Sequence, residues 1–219
     1  FTNNRNFKYY GDFRLRYGSE FNKEVFRPEI REAYIKFFSN KWEITAGQQI
    51  IKWGYSDFSG FSSKLSPRNL IARSPDPEDM DLGNTGLKLA ISPFDKLSFD
   101  LAMMPFYRGS VLLTEPFRLP QYVSIEEKKG IQTDKINLSY GLRAILRLRG
   151  TDAYFSWFDG YDPMPGISLK SFDLDMSGPV PSPSMKLAVK QYNTSSVSAG
   201  FETAAGVVGI RGEMSLSMP

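Results

Sequence analysis

Residues Phe7 to Tyr17 alternate one by one. Phe7, Tyr9, Gly11, Phe13, Leu15 and Tyr17 share one parity; Lys8, Tyr10, Asp12, Arg14 and Arg16 share the other. Only a β-strand sends successive side chains to opposite faces. The second set is too charged to form a core, and the first is apolar and rich in tyrosine. A strand with an apolar outer face and a charged inner one matches what a transmembrane β-barrel requires.

Composition narrows the alternatives. Mean hydropathy is −0.32, a value a barrel can have because its strands average an apolar and a polar face. No run of about 18 apolar residues occurs, which excludes a transmembrane helix. The chain of 219 residues has no cysteine and no histidine. Disulfides, thiolate metal sites, histidine-dependent catalytic triads and most zinc or haem ligation are therefore excluded. No catalytic residue, cofactor or metal is expected. The net charge of +3, without a basic patch interleaved with stacking aromatics, gives no nucleic-acid signature.

The same alternation predicts nine strands within a single all-β, antiparallel domain spanning residues 1–219. After the first come strands near 30–38, 42–53, 85–92, 97–106, 136–149, 153–158, 185–204 and 207–217. The sixth is the most regular: Ile136, Leu138, Tyr140, Leu142, Ala144, Leu146 and Leu148 oppose Asn137, Ser139, Gly141, Arg143, Ile145, Arg147 and Arg149. The eighth is read as one long strand because parity does not slip through Asn193–Ser196. Its length exceeds the ~9–11 residues that cross a bilayer, so it is expected to project beyond the membrane. Splitting it would give ten strands.

Connections alternate in length. Short turns fall near 39–41, 93–96, 150–152 and 205–206, and long connections near 18–28, 54–83, 107–135 and 159–184. Short turns on one rim and long outer loops on the other is the outer-membrane arrangement. Most prolines lie in the long connections, where they interrupt no ladder. An odd strand count leaves the last strand on the outer side, whereas bacterial single-chain barrels have even counts. The sequence therefore reads as the N-terminal portion of a barrel of about 16–18 strands.

Three segments resemble a porin-like family of Gram-negative outer-membrane proteins of unknown function, related to alginate-export porins. Arg31-Glu32-Ala33-Tyr34 with Ile44-Thr45-Ala46-Gly47-Gln48-Gln49-Ile50-Ile51-Lys52-Trp53-Gly54 is similar to its early hairpin. Phe155-Ser156-Trp157-Phe158-Asp159-Gly160-Tyr161-Asp162-Pro163-Met164-Pro165 is similar to a strand-to-loop motif. Ser198–Thr203 through Gly209–Glu213 is similar to a late hairpin. The resemblance implies a passive channel in the outer membrane and a longer chain; it supplies no substrate.

In a barrel, function sits on the inward parity and in the loops. The inward cations are Lys8, Arg14, Arg16, Lys36, Lys88, Arg143, Arg147, Arg149, Lys186, Lys190 and Arg211, against Asp12, Glu32, Glu43, Asp100, Glu202 and Glu213. This excess predicts weak selectivity for anions such as acidic oligosaccharides or organic acids. The competing expectation is that these charges pair across strands and solvate a wide lumen. The loop from Gly54 to Gly83, with Tyr55, Phe58, Phe61, Lys64, Arg68 and Arg73, is the candidate constriction. Asp76, Glu78, Asp79 and Asp81 lack calcium-loop spacing and are expected to be solvated loop charge. Trp42, Trp53, Trp157, Tyr9 and Tyr17 are expected as interfacial girdle residues. Expected partners are outer-membrane lipid and lipopolysaccharide, small solutes and other envelope proteins. Two functions compete with the channel: a structural barrel plugged by its loops or a partner, and a soluble β domain whose apolar parity packs on a second sheet.

Overall fold

The computed structural model describes residues 6–20, 23–55, 63–70, 76–112, 120–126, 131–132, 136–175 and 182–218. In chain order its strands are β1 (Phe7–Glu20), β2 (Lys23–Phe38), β3 (Trp42–Gln49), β4 (Asn84–Phe94), β5 (Leu97–Met104), β6 (Tyr107–Arg108) and β7 (Val123–Glu126). They continue with β8 (Ile131–Gln132), β9 (Ser139–Leu148), β10 (Thr151–Tyr161), β11 (Gly166–Asp175), β12 (Ser182–Lys190), β13 (Asn193–Ala205) and β14 (Val208–Met218). Among the described residues there is no α-helix, and Pro77–Met80 forms a 3-10 turn.

Nine of these strands form one antiparallel sheet in the order β1-β2-β3-β4-β5-β9-β10-β13-β14. Eight of them match expected strands with shifted boundaries, and β13 is the second half of the expected eighth strand. The sheet is open: β1 and β14 are its edges. Strand alternation sets its two faces. Phe13, Leu15 and Tyr17 are 72%, 76% and 79% exposed, whereas Asp12, Arg14 and Arg16 between them are half-buried. The register carries this separation across every strand. Phe37 lies opposite Ile44, Ile44 opposite Leu89 and Leu89 opposite Leu101. Leu101 lies opposite Leu142, Leu142 opposite Trp157, Trp157 opposite Val197 and Val197 opposite Leu216. One face is therefore an unbroken apolar belt. The other carries most of the charges and the loops.

Three expectations need correction. The connection at 18–28 is not a long loop, because β1 and β2 stay paired out to Glu20 and Lys23. The register shifts after Asp12: Asp12 lies opposite Glu32 but Phe13 lies opposite Ile30, so Arg31 is an extra residue. This bulge reverses the parity of β2, placing Ile30 and Phe26 on the same face as Ile35 and hiding the strand's first half from a pattern search. Pro28 is tolerated there because β3 pairs with β2 only from Ala33 to Phe38, leaving that stretch an open edge.

The expected eighth strand is two strands in different sheets. β13 joins the main sheet, while β12 pairs with β11 and, in parallel, with β7. The break falls at Gln191-Tyr192, where the Asp162 N–H donates to the Tyr192 carbonyl (3.0 Å). Pairing resumes past this break, from Tyr161 opposite Asn193 to Gly166 opposite Lys190. The β11–β12 hairpin thus extends the arms of β10 and β13 beyond the main sheet. The third strand also ends early, at Gln49 rather than Trp53.

Gly47 gives the sheet a sharp local test. Its φ is +130°, and a Cβ there would lie 2.5 Å from the Ala33 carbonyl oxygen in the neighbouring strand. Gly47→Ala is expected to cost about 1–3 kcal/mol through backbone strain and this clash, read as a lower urea midpoint with an unchanged slope.

Candidate functional site

After Gln49 the chain leaves the sheet edge-on and turns across the charged face. Gln49 anchors the departure by donating to the carbonyls of Thr45 (3.3 Å) and Gly86 (3.2 Å). The Ile50 N–H donates to Glu32 Oε1 (2.8 Å). The Ile51 N–H donates to Ser66 Oγ (2.7 Å), and that hydroxyl donates back to the Ile51 carbonyl (3.1 Å). These bonds satisfy backbone groups that no longer have a ladder partner.

Residues 51–55 then run as a strap over β9, β10 and β14. Trp53, expected in the interfacial girdle, is instead 2% exposed. It joins Ile51, Leu65, Ala102, Met104 and Phe158 in a small core on the charged face. Its ring occupies the space over Gly141, where a Cβ would lie 2.6 Å away. Above it, 5.4 Å from the ring centroid, sits the Arg143 guanidinium, which is also bonded through Nε and Nη2 to Asp100. Tyr55 meets Tyr154 edge to face at 5.1 Å, and its N–H donates to Glu213 Oε2 (3.1 Å) on β14. The strap therefore ties β3 to the far edge of the sheet. Alternation in β3 fails at the adjacent polar pair Gln48-Gln49, and that is the sequence signal for its departure. Gly141, on the inward parity, is the signal for the aromatic that covers it.

The acidic segment is held just as firmly. Asp76 caps the 3-10 turn by accepting from the Glu78 N–H (2.9 Å). Asp79 pairs with Arg14, and its carbonyl accepts from Arg16 (3.1 Å). The Glu78 carbonyl accepts from Arg31 (2.6 Å). Lys52 reaches Asp81 (2.8 Å) and Glu78 (3.2 Å), and Arg68 reaches Asp81 (3.2 Å). The expected solvated loop charge is thus a clasp between the loop and β1–β2. Among the described residues, no three acids converge as a metal site.

A second buried node lies in the other loops. Asp162, 2% exposed, accepts from Lys64 Nζ (2.6 Å) and from the Met164 N–H (2.8 Å). The Tyr107 hydroxyl nearby is buried and has no hydrogen-bond partner among the described residues. Burial, and then the Asp162 charge, push the Tyr107 phenol above its ordinary value. Burial and Asp162 raise Tyr192 in the same way. Burial lowers Arg108, whose guanidinium donates to the Gly83 carbonyl.

The remaining inward cations divide. Arg16 faces Glu29 (3.9 Å), Lys36 faces Glu43 (2.8 Å), and Arg211 faces Glu202 (2.9 Å). Arg147 donates to Ser98 Oγ (3.0 Å), and Lys8 lies 5.1 Å from the centre of the Phe38 ring. Among the described residues, Lys8, Lys88, Arg147 and Arg149 have no acidic partner. Lys190 and Lys186, expected on this face, lie instead in β12 of the smaller sheet. Arg73, Phe58 and Phe61 lie outside the described residues.

Two outcomes follow from the strap and the buried node. Trp53→Ala is expected to cost about 3–5 kcal/mol, as for a buried aromatic, whereas Trp157→Ala on the apolar belt costs far less; urea unfolding of both variants in detergent checks this. Tyr107 ionises near pH 10 in the unfolded chain and higher in the folded one. Its contribution is therefore complete below about pH 10 and is lost as pH rises toward the folded value. Tyr107→Phe is expected to move the onset of alkaline unfolding upward, followed by near-ultraviolet circular dichroism.

No protein-family model matches this chain, and no curated protein matches it.

Proposed function

We propose that the nine-stranded sheet is one side of an outer-membrane β-barrel that serves as a porin-like channel for passive diffusion of small anionic solutes. The apolar belt carries this reading. Nine strands at about 4.8 Å spacing are about 40 Å wide, and the belt is several alternate residues tall. That makes an exposed apolar surface on the order of 1,000 Å², against the few hundred Å² usual for the largest patch on a soluble monomer. Lipid is the solvent that suits such a face. Aromatic side chains lie toward both ends of the belt: Phe37, Trp42 and Phe94 near the short turns, Tyr17, Phe26 and Tyr140 near the loops. This is the girdle pattern of barrels. Resemblance to porin-like proteins of the Gram-negative outer membrane points the same way.

The edges favour a larger barrel. Nine antiparallel strands leave β1 and β14 running in the same direction. Closure through antiparallel neighbours therefore needs an odd number of further strands. Totals of about 16 or 18 strands require seven or nine more, both odd.

The second reading is a structural barrel in an envelope complex, plugged by its own loops. The strap and its buried core favour it, since they fill part of the face that would line the pore. Planar-bilayer recording separates the two. The channel reading expects discrete open steps and a reversal potential biased toward anions; a protein silent in bilayers, or one selective for cations, rejects it. Membrane placement is checked separately with brominated-chain lipids. Fluorescence from a Trp53→Phe variant, which keeps Trp42 and Trp157, is expected to be quenched strongly. A variant retaining only Trp53 is expected to be quenched weakly.

A further inference from the structure

We propose that Lys8, Lys36 and Lys88 form a binding site for a compact polyvalent anion on the charged face. The three residues occupy one row of the sheet. Lys8 lies opposite Lys36, Lys36 opposite Thr45, and Thr45 opposite Lys88. Adjacent strands are about 4.8 Å apart, so the row spans roughly 14 Å at the backbone, within which flexible lysine stems can converge. Like charges directly opposite each other destabilise a sheet, yet Lys8 and Lys36 are placed so. The row holds three ammonium groups, and Glu43, two residues from Thr45 in the adjacent row of the same face, reaches Lys36 at 2.8 Å. Asp100, in the same flanking row as Glu43, is already bonded to Arg143.

The surroundings keep the lysines oriented and wet. Lys8 lies over Phe38 at 5.1 Å and Lys36 over Tyr34 at 6.0 Å. Tyr34 is itself stacked on Tyr10, with centroids 5.0 Å apart and 23° between planes. Lys8 is exposed, and Lys36 and Lys88 are partly so. The strap crosses the same row farther along, over Gly141, and leaves this end of it uncovered among the described residues. An anion with two or more charges can bridge neighbouring ammonium groups and relieve their repulsion. A monovalent anion neutralises one and leaves the others opposed. Glu43 competes with such a ligand for Lys36.

The site deepens the channel reading, because it assumes that this face meets solvent in a lumen. It is tested without conduction, by titrating citrate into the folded full chain in detergent micelles at fixed ionic strength, with acetate as the monovalent control. Citrate is expected to bind measurably and acetate at least tenfold more weakly. Lys8→Gln, Lys36→Gln and Lys88→Gln are each expected to weaken citrate at least fivefold. Glu43→Gln is expected to tighten it severalfold, a gain that damage to the fold does not produce. The Arg147→Gln/Arg149→Gln double variant, which removes two other cations of the same face, is expected to leave citrate binding within twofold of the parent. Equal affinity for citrate and acetate, no loss in the lysine variants, no gain in Glu43→Gln, or an equal loss in the arginine variant each overturns the proposal. A citrate-binding protein that is silent in bilayers rejects the channel and keeps the site.

Discussion

A nine-stranded sheet with one face committed to apolar side chains has a single place for everything else. Period-two geometry sends nearly every charged residue of these strands to the face opposite the belt; Asp159, opposite Tyr140 at the loop end of β10, is an exception. Most arginines, carboxylates and loops must therefore be accommodated on the opposite face. Ion pairs across the sheet follow from this crowding. Lys36 takes Glu43, Arg143 takes Asp100, and Arg211 takes Glu202. So does the clasp of the acidic 3-10 turn, which brings loop carboxylates to the arginines of β1 and β2.

Arg143 shows how tightly the parts are coupled. It sits on β9, pairs with Asp100 on β5 and supports the Trp53 ring from the strap. Asp100 is 5% exposed, and a buried pair gains little net stability because both ions lose water. Its effect is on placement. A guanidinium fixed by a carboxylate on a neighbouring strand presents a flat cationic surface, and an indole stacks on it better than on a mobile lysine. Gly141 then provides clearance beneath the ring. Removing the carboxylate would leave the half-buried Arg143 without its ion-pair partner and would loosen the strap with it.

The sequence shows the faces of the sheet clearly where outward residues repeat at every second position along a strand. It hides features that depend on distant partners or on a single extra residue. Arg31 reverses the parity of β2, so the strand's first half looks like loop. Gln191-Tyr192 does the opposite: parity is preserved across it, and β12 and β13 look continuous. Only the competing partners of β12, namely β11 and the parallel β7, divide them. Trp53 carries no local mark of burial, since its support is Gly141 and Arg143, some ninety residues away in sequence. The acidic segment likewise shows its charge but not its arginine partners, which lie 63 and 65 residues away from Asp79.

The charged face is also asymmetric from edge to edge, and that bears on both functional readings. Over β5, β9 and β10 it is closed by the strap and its core of Ile51, Trp53, Leu65, Ala102, Met104 and Phe158. Over β1 to β4, near the short turns, it presents Lys8, Lys36 and Lys88 with the Tyr10–Tyr34 stack. A plug that filled the lumen evenly would have no reason to leave Lys8 and Lys88 without an acidic partner along one side, with Glu43 the one carboxylate among the described residues that reaches the row, at Lys36. An open pore would have no reason to bury aromatic side chains against the other. In the channel reading the two halves divide the work: the strap narrows the passage over β5, β9 and β10, and solutes pass on the lysine side, where the cations raise the local concentration of anions. In the plugged reading the lysine row is left facing solvent with no function, at a cost in repulsion that a sheet with so many available acids could have avoided.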